Sequence, residues 1–299
     1  MKYYLGIDGG GTKTTAIICD ENAQLISRFV GESINYNSVG METARKNLKA
    51  TVDGVLPNDV KLNAAFIGMS AISERADDEF TKKLCEGIID CDKITMDSDV
   101  YIGLEAMRCD GSAAMVISGT GSMAVGRLPD GEIIHTGGWG YILGDEGSGY
   151  AICIDALRAA ICGYEGSAEK TLLTDAVKEH YQVNDMLELI DIFYDPPMPR
   201  SEIAKLAPIV FKCSENDGVA DAIIRNHAQL LANTVSALLS QLPEGTPLGL
   251  WGGIFENYEK FRNLFSASVN ERFPETEINV LEYAPEYGAV FAAIKTDGE

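Results

Sequence analysis

The sequence predicts an α/β protein in which one structural unit occurs twice. Residues 4–31, YLGIDGGGTKTTAIICDENAQLISRFVG, read as an apolar strand, a glycine-rich turn containing Gly-Thr, a second strand, a polar turn and a third strand. Residues 114–138, AMVISGTGSMAVGRLPDGEIIHTGG, repeat that order, with Pro129-Asp130-Gly131 where the first copy has Asp20-Glu21-Asn22. Helix-period segments and further short strands follow each copy. Two glycine turns of phosphate-binding type on matching β-meanders imply a duplicated fold with a nucleotide between its halves.

The first half is expected to place strands at Tyr3–Asp8, Thr14–Cys19 and Leu25–Gly31. A helix follows from Met41 to Leu56, where Met41, Ala44, Leu48, Val52 and Val55 recur at helical spacing. Ala64–Met69 reads as a buried strand, Asp77–Ile89 as a helix and Ile94–Met96 as a short strand. Val100–Met107 reads as a helix opened by Ser98 or Asp99 as N-cap. The second half restarts the meander at Ala113 and continues with helices at Gly149–Cys162, Ala168–Tyr181 and Asp221–Leu242. The last of these carries a single apolar stripe that includes His227, a core-facing pattern. Strands at Leu248–Trp251 and Ile278–Leu281 complete the second sheet, and a helix with Pro285 in its first turn closes the chain. The boundary is expected near Asp110-Gly111-Ser112, giving domains 1–112 and 113–284, with the C-terminal helix 285–299 joining the first. Pro196-Pro197-Met198-Pro199 is a stiff loop within the second.

The 299 residues suffice for one large or two ordinary domains with a sizeable core. No run of about eighteen apolar residues occurs, and the N-terminus enters a strand directly, so a cytoplasmic protein with no membrane partner is expected. A net charge of −21 disfavours nucleic acid and anionic lipid as partners. It would also repel ATP unless Mg²⁺ and local backbone dipoles offset it. Seven cysteines, odd in number and without a CxxC pair, argue against a disulfide framework and a four-cysteine zinc site. The three histidines lie far apart in sequence and form no metal-ligand pair.

Several stretches carry chemistry. In Asp8-Gly9-Gly10-Gly11-Thr12-Lys13-Thr14, glycines permit close approach of a ligand and successive N–H groups can form an anion-binding concavity. Asp8 points a carboxylate at that turn, where it could hold Mg²⁺ through water. GxxxxGK[ST] is absent and a strand follows, so this is not a Walker A loop; a tight hairpin is the alternative. Ser118-Gly119-Thr120-Gly121-Ser122 offers the same backbone plus hydroxyl donors. Gly252-Gly253, after the strand at Leu248–Trp251, could admit an adenosine or could be a plain strand-to-helix turn. Gly137-Gly138-Trp139-Gly140 and Gly144-Asp145-Glu146-Gly147-Ser148 form the densest glycine stretch, entropically costly unless backbone must approach a ligand. Asp145 and Glu146 could accept from sugar hydroxyls or cap the next helix, with Asp145 favoured as the ligand contact. Asp97 and Asp99 follow a strand, where a kinase acting on a hydroxyl needs a carboxylate to accept the proton; Asp99 could instead be an N-cap. Asn35 and Asn37 suit a sugar hydroxyl or acetamido group, or an Asx-turn.

The set IDGGGTKT, SDVYIGLEA, ISGTGS, GGWGYILGDEGSGY and LWGGIF, in this order along nearly the whole chain, resembles the BadF/BadG/BcrA/BcrD ATPase family, which includes N-acetylglucosamine kinases. The resemblance implies duplicated ribonuclease-H-like, actin-like ATPase domains with a cleft between two lobes. It implies an ATP- and Mg²⁺-dependent kinase that phosphorylates the 6-hydroxyl of an amino sugar, with N-acetylglucosamine first and N-acetylmuramic acid second, and a homodimer. Catalysis then falls to Asp99. ATP contacts map to Asp8, Gly10, Gly11, Thr12, Lys13, Gly119, Thr120, Gly121, Gly252 and Gly253, with Asp8 as the water-mediated metal residue. Sugar contacts map to Asn35, Asp99, Gly138, Trp139 and Asp145. One departure is Tyr36-Asn37 after Asn35, where the animal enzyme has a more aromatic pair; the substituent preference of the sugar stays open there. Rival readings are a glucosamine kinase, a dehydratase-activating ATPase with a cysteine-held iron–sulfur cluster, and a sugar sensor without turnover. The lack of a cysteine cluster disfavours the activator, and the lack of zinc cysteines disfavours the repressor and kinase family.

Overall fold

The computed structural model describes residues 1–72 and 74–298. They divide into unit 1, Met1–Asp110 rejoined from Leu281 onward, and unit 2, Gly111–Val280. The sequence-based division came two residues later at the first crossing, Ser112 against Asp110, and further along at the second.

In chain order unit 1 contains β1 (Tyr3–Gly9), β2 (Lys13–Asp20), β3 (Leu25–Glu32), α1 (Tyr36–Val39), α2 (Met41–Val55), β4 (Ala64–Met69), α3 (Asp78–Cys85), β5 (Lys93–Ser98) and α4 (Asp99–Ala106). Unit 2 contains β6 (Ala113–Ser118), β7 (Ser122–Arg127), β8 (Ile133–Gly137), α5 (Gly149–Glu165), α6 (Leu173–Tyr181), α7 (Leu189–Tyr194), α8 (Arg200–Ile203), α9 (Ala207–Cys213), α10 (Gly218–Leu239), β9 (Leu248–Trp251), α11 (Gly253–Asn257), α12 (Glu259–Asn270) and β10 (Ile278–Val280). The chain then returns to unit 1 for α13 (Pro285–Gly298); residue 299 of the expected helix lies outside the described residues.

The repeat read from the meanders extends to both sheets. Unit 1 has strand order β3-β2-β1-β4-β5 and unit 2 has β8-β7-β6-β9-β10 in the same sense. In each, three strands pair antiparallel and two more add in parallel. Several boundaries differ from expectation. The helix expected to reach Ile89 stops at Cys85, just ahead of Gly87 at φ +75°, a backbone setting that ends helices. The helix expected from Ala168 starts at Leu173, where the Asp217 carboxylate accepts from Leu172 N and Thr171 Oγ1 and so holds the residues just ahead of the first helical turn. Helices α1, α7, α8, α9 and α12 were not expected, and α11 entered only as the alternative that Gly252-Gly253 form a strand-to-helix turn.

Alternation along β1 separates two cores. Leu5 and Ile7 join Ala16, Ile18, Ile67 and Met96 under α2 and α3. Tyr4 faces the opposite way, with Ile17, Phe66, Ile102, Ala289 and Val290 of the layer made by α4 and α13. Gly6 shares that second face, and a Cβ there would run into the Glu286 carbonyl and Val290 of α13. A Cβ on Gly288 would run into the Ile102 carbonyl of α4. These two missing side chains let α13 lie against both the sheet and α4. Asp8, the next residue on the Gly6 face, is thereby brought beside the first turns of both helices.

Candidate active site

In unit 1 the functional side chains gather at the carboxyl ends of the parallel strands, where open α/β sheets receive ligands. Register sets Asp8 on β1 abreast of Gly68 on β4, and Gly68 abreast of Asp97 on β5. Ser98 is the N-cap of α4, its hydroxyl accepting from Tyr101 N at 3.1 Å, so Asp99 is the first helical residue and not the cap. Its carboxyl is half-buried; burial pushes its pKa above the usual carboxylate range, against hydrogen bonds from the Val100 and Asp99 N–H groups. Asp8 responds to it: burial first, then the Asp99 and Glu286 carboxylates, push Asp8 up to about 7, with Lys13 acting in the opposite direction. Lys13 is an exposed side chain at the start of β2, close enough to Asp8 to favour its charged form. Glu286 is tied to Arg28 at 3.1 Å. Asp97 is buried, accepts from Ser98 N at 2.7 Å and lies 3.9 Å from Arg75.

The turn after β1 is open to ligand. Gly11 and Thr12 are exposed, and nothing lies within 4 Å of where a Gly11 side chain would start. Its underside is fixed by Ser33 Oγ, which donates to Gly10 O at 2.9 Å, and by Ser70, whose N–H and hydroxyl both donate to Gly9 O. Asn35 takes the Asx-turn alternative. It is buried at the N-cap of α1, its Oδ1 accepting from Asn37 N and Ser38 N, while Nδ2 donates to Ser70 Oγ at 3.0 Å. The acceptor half of the amide is therefore used internally, and only the NH₂ group faces the strand ends. Asn37 is exposed and reaches Ala71 O.

In unit 2 the second turn and the glycine-rich stretch are laced together. Gly149 N donates to Gly119 O at 2.7 Å. Ser118 Oγ donates to Gly147 O at 2.7 Å and Ser122 Oγ to Glu146 O at 2.8 Å. This corrects an expectation: those two hydroxyls, read as ligand donors, are spent on neighbouring carbonyls because both serines are buried. Thr120, between them, is exposed. Ser148 caps α5, so neither Asp145 nor Glu146 does. Asp145 instead takes a left-handed backbone (φ +66°) and turns its buried carboxylate onto Gly121, where an added Cβ would meet Oδ2 at 2.9 Å. Burial raises its pKa, against Arg200 and the N–H groups of Gly140 and Ser122. Glu146 is exposed. Gly138 (φ +71°) lies against Met123, and Trp139 beside it is 70% exposed.

The adenosine turn also needs correcting. Gly252 (φ +102°) is the N-cap of α11, and the space a side chain would need is filled by Ser118 O at 2.5 Å and Gly119 N at 3.2 Å. Its glycine is required by the neighbouring turn and not by open space for a ligand. Gly253 is exposed, its nearest neighbour Asn257 Nδ2 at 3.7 Å.

A model of the BadF/BadG/BcrA/BcrD ATPase family matches residues 5–294. The chain belongs to this family. It is 30% identical to an N-acetylmuramic acid/N-acetylglucosamine kinase of Clostridium acetobutylicum, with 98% of each chain aligned. It is 28% identical to an N-acetyl-D-glucosamine kinase of Dictyostelium discoideum, again over 98% of both. Among solved structures, one from Chromobacterium violaceum described as a candidate N-acetylglucosamine kinase superposes with a TM-score of 0.75 at 21% identity, covering 97% of this chain and 98% of that one. That likeness concerns the two-lobed α/β fold.

One buried residue that the sequence reading placed in the core also supports this site. His227, 3% exposed on α10, accepts Gly147 N–H on Nδ1 at 3.1 Å, and its Nε2 lies 3.1 Å from Asp155 Oδ2. The network assigns a neutral ring with its proton on Nε2, and burial draws its pKa below 6.5 against the Asp155 carboxylate. His227 thus holds the loop that carries Asp145. A polar ring inside an otherwise apolar helical stripe was the available signal, since a buried imidazole needs partners.

Proposed function

We propose that the protein is an ATP-dependent kinase transferring a phosphoryl group to the 6-hydroxyl of an N-acetylated amino sugar, N-acetylglucosamine with N-acetylmuramic acid as a second substrate. The observation that carries the reading is Asp99: a half-buried carboxyl with a raised pKa, set at the end of β5 and held close to Asp8, in a chain aligned end to end with sugar kinases. A base poised upward by burial accepts a proton more readily than an ordinary surface aspartate.

In this reading Asp99 takes the proton of the sugar hydroxyl as the bond to phosphorus forms. The N–H groups of Gly10, Gly11 and Thr12, and those of Thr120 and Gly121, hold phosphate oxygens, with Gly119 bordering them while its own N–H closes the turn onto Gly121 O at 2.9 Å, and Lys13 adds charge at the first turn. Gly253, which is exposed, borders the adenosine, and Gly252 shapes the turn behind it. Asn35 Nδ2, the Gly138–Trp139 edge and Asp145 bind and orient the sugar. Mg²⁺ fits Asp8: a divalent cation would relieve the repulsion that Asp99 and Glu286 impose on that carboxylate. No cluster of three metal-ligating side chains occurs among the described residues, as expected for a metal held by one carboxylate, waters and substrate phosphates. When bound, the ion neutralises charge on the transferring group. A homodimer and a cytoplasmic location complete the reading; seven free thiols suit a reducing compartment.

Coupled ADP release measured across glucose, glucosamine, N-acetylglucosamine, N-acetylmannosamine and N-acetylmuramic acid tests it. Asp99→Asn should lower turnover by about 10²–10⁴-fold while a fluorescent ATP analogue still binds. Sugar-independent ADP release, or near-normal turnover by Asp99→Asn, would overturn the kinase reading or the base assignment respectively.

A further inference from the structure

Arg200 was not among the residues the motifs pointed to, yet it is the cation set against Asp145. Its Nη1 lies 4.0 Å from Asp145 Oδ2, and its side chain stays 49% exposed where Asp145 is 6% exposed. That separation is longer than a charge-assisted hydrogen bond of about 2.8 Å, so the pair is electrostatic and the guanidinium fork is not consumed by it. The Tyr141 ring lies under the fork, 4.8 Å from Cζ, and Tyr150 braces Tyr141 edge-on at 5.3 Å. The guanidinium therefore packs on an aromatic ring, keeps half of its side chain accessible and stands beside the carboxylate assigned to the sugar.

We propose that Arg200 is a specificity residue, receiving the carboxylate of an amino sugar that bears one while Asp145 takes ring hydroxyls. The inference rests on the amino-sugar kinase reading and deepens it. The electrostatic argument is direct. A chain of net charge −21 that presents Asp145 to its sugar disfavours an anionic acceptor, unless a cation stands beside that carboxylate. Arg200 supplies it, and its planar donors match a carboxylate bidentately, which a lysine would not. N-acetylmuramic acid carries such a group on its lactyl ether; N-acetylglucosamine has a free hydroxyl at that carbon.

The test compares kcat and KM for both sugars, and for the methyl ester of N-acetylmuramic acid, in wild type, Arg200→Gln and Arg200→Lys. In Arg200→Gln the ratio of kcat/KM for N-acetylmuramic acid over N-acetylglucosamine should fall about ten- to a hundredfold, the scale of one lost charge-assisted contact, chiefly through KM. Arg200→Lys should recover part of that ratio. The ester should be poorer than the free acid in wild type and equal to it in Arg200→Gln. An equal loss on both sugars would make Arg200 only a support for Asp145, and an unchanged ratio would remove it; either overturns the proposal. So would a wild type that uses N-acetylglucosamine and not N-acetylmuramic acid, which leaves the kinase reading intact. Turnover of neither sugar removes that reading and the inference with it. Melting temperatures of both variants, expected near wild type for a half-exposed side chain, exclude misfolding as the cause.

Discussion

Replacing Gly252 by alanine should damage catalysis through a turn that the new methyl group reaches from behind. At φ +102° and ψ +159° the backbone lies in a region essentially reserved for glycine, where alanine is strained by about 1–3 kcal/mol. The methyl would also sit 2.5 Å from Ser118 O and 2.8 Å from Ser118 C, about 0.9 Å inside the 3.4 Å at which ordinary contact begins. Those atoms are backbone, so relief requires either α11 to back away or the Gly119–Gly121 turn to advance. The strain alone should lower the melting temperature by roughly 2–12 °C, at 2–4 °C per kcal/mol for a unit of this size. If that turn holds phosphate as proposed, a displacement approaching 1 Å should cost about a hundredfold in kcat/KM for ATP. The assay is ADP release against ATP concentration at saturating sugar, alongside thermal unfolding, with Gly253→Ala as the comparison. At Gly253 the nearest atom is 3.7 Å away, an ordinary contact, so its variant should melt like wild type. A Gly252→Ala protein with wild-type melting and wild-type kcat/KM for ATP would refute the reasoning.

Three other outcomes are expected. Asn35→Asp keeps an equally good N-cap for α1 but removes the Nδ2 donor, so melting should hold while KM for the sugar rises at least about tenfold; Asn35→Ala should additionally lose about 1 kcal/mol of cap. Unchanged sugar KM in Asn35→Asp would leave Asn35 as a cap only. His227 is neutral in the folded protein with a pKa below its ordinary 6.5, so the unfolded chain binds the extra proton first. Its contribution is complete above about pH 6.5 and is lost as pH falls from there toward the folded pKa, by at most about 1.4 kcal/mol per pH unit. Unfolding curves from pH 8 to 5 should fall more steeply for wild type than for His227→Gln, and parallel curves would count against the neutral assignment. Trp139→Ala should leave stability within about 0.5 kcal/mol, because the ring is 70% exposed, yet raise sugar KM about two- to tenfold; a melting temperature shifted by more than about 5 °C with unchanged KM would reverse that view.

The two glycine turns, the strand-end acids and both sheets were legible because each depends on local pattern: apolar runs of strand length ending in Gly-Thr, and an acid just past a short strand. What the sequence hid was what each polar atom bonds to. Ser118 and Ser122 look like ligand donors until burial shows their hydroxyls spent on Gly147 and Glu146 carbonyls. Gly252 looks like room for an adenosine until Ser118 O is found filling that room. Both facts depend on contacts between residues far apart in the chain. Helix α12 was a different omission, since Phe261, Phe265 and Val269 recur at four-residue spacing and are all buried. Its start lacks any side-chain cap, which is why no start signal marked it. Arg200 escaped because a lone arginine after Pro199 carries no motif; only the fold sets it beside Asp145.

Helix α13 gives the protein an order of assembly. Unit 2 is one uninterrupted stretch, whereas unit 1 waits for residues beyond Leu281 to close the face formed by Tyr4, Ile17, Phe66 and Ile102. On a ribosome, the half that carries Asp8 and Asp99 begins first and finishes last. Until α13 arrives, that half exposes a flat apolar sheet face and lacks the Glu286 carboxylate beside Asp8. The nascent chain therefore has no finished Asp8–Asp99 end until α13 emerges, and a premature stop before Pro285 would leave all of unit 2 attached to a half-built, sticky unit 1.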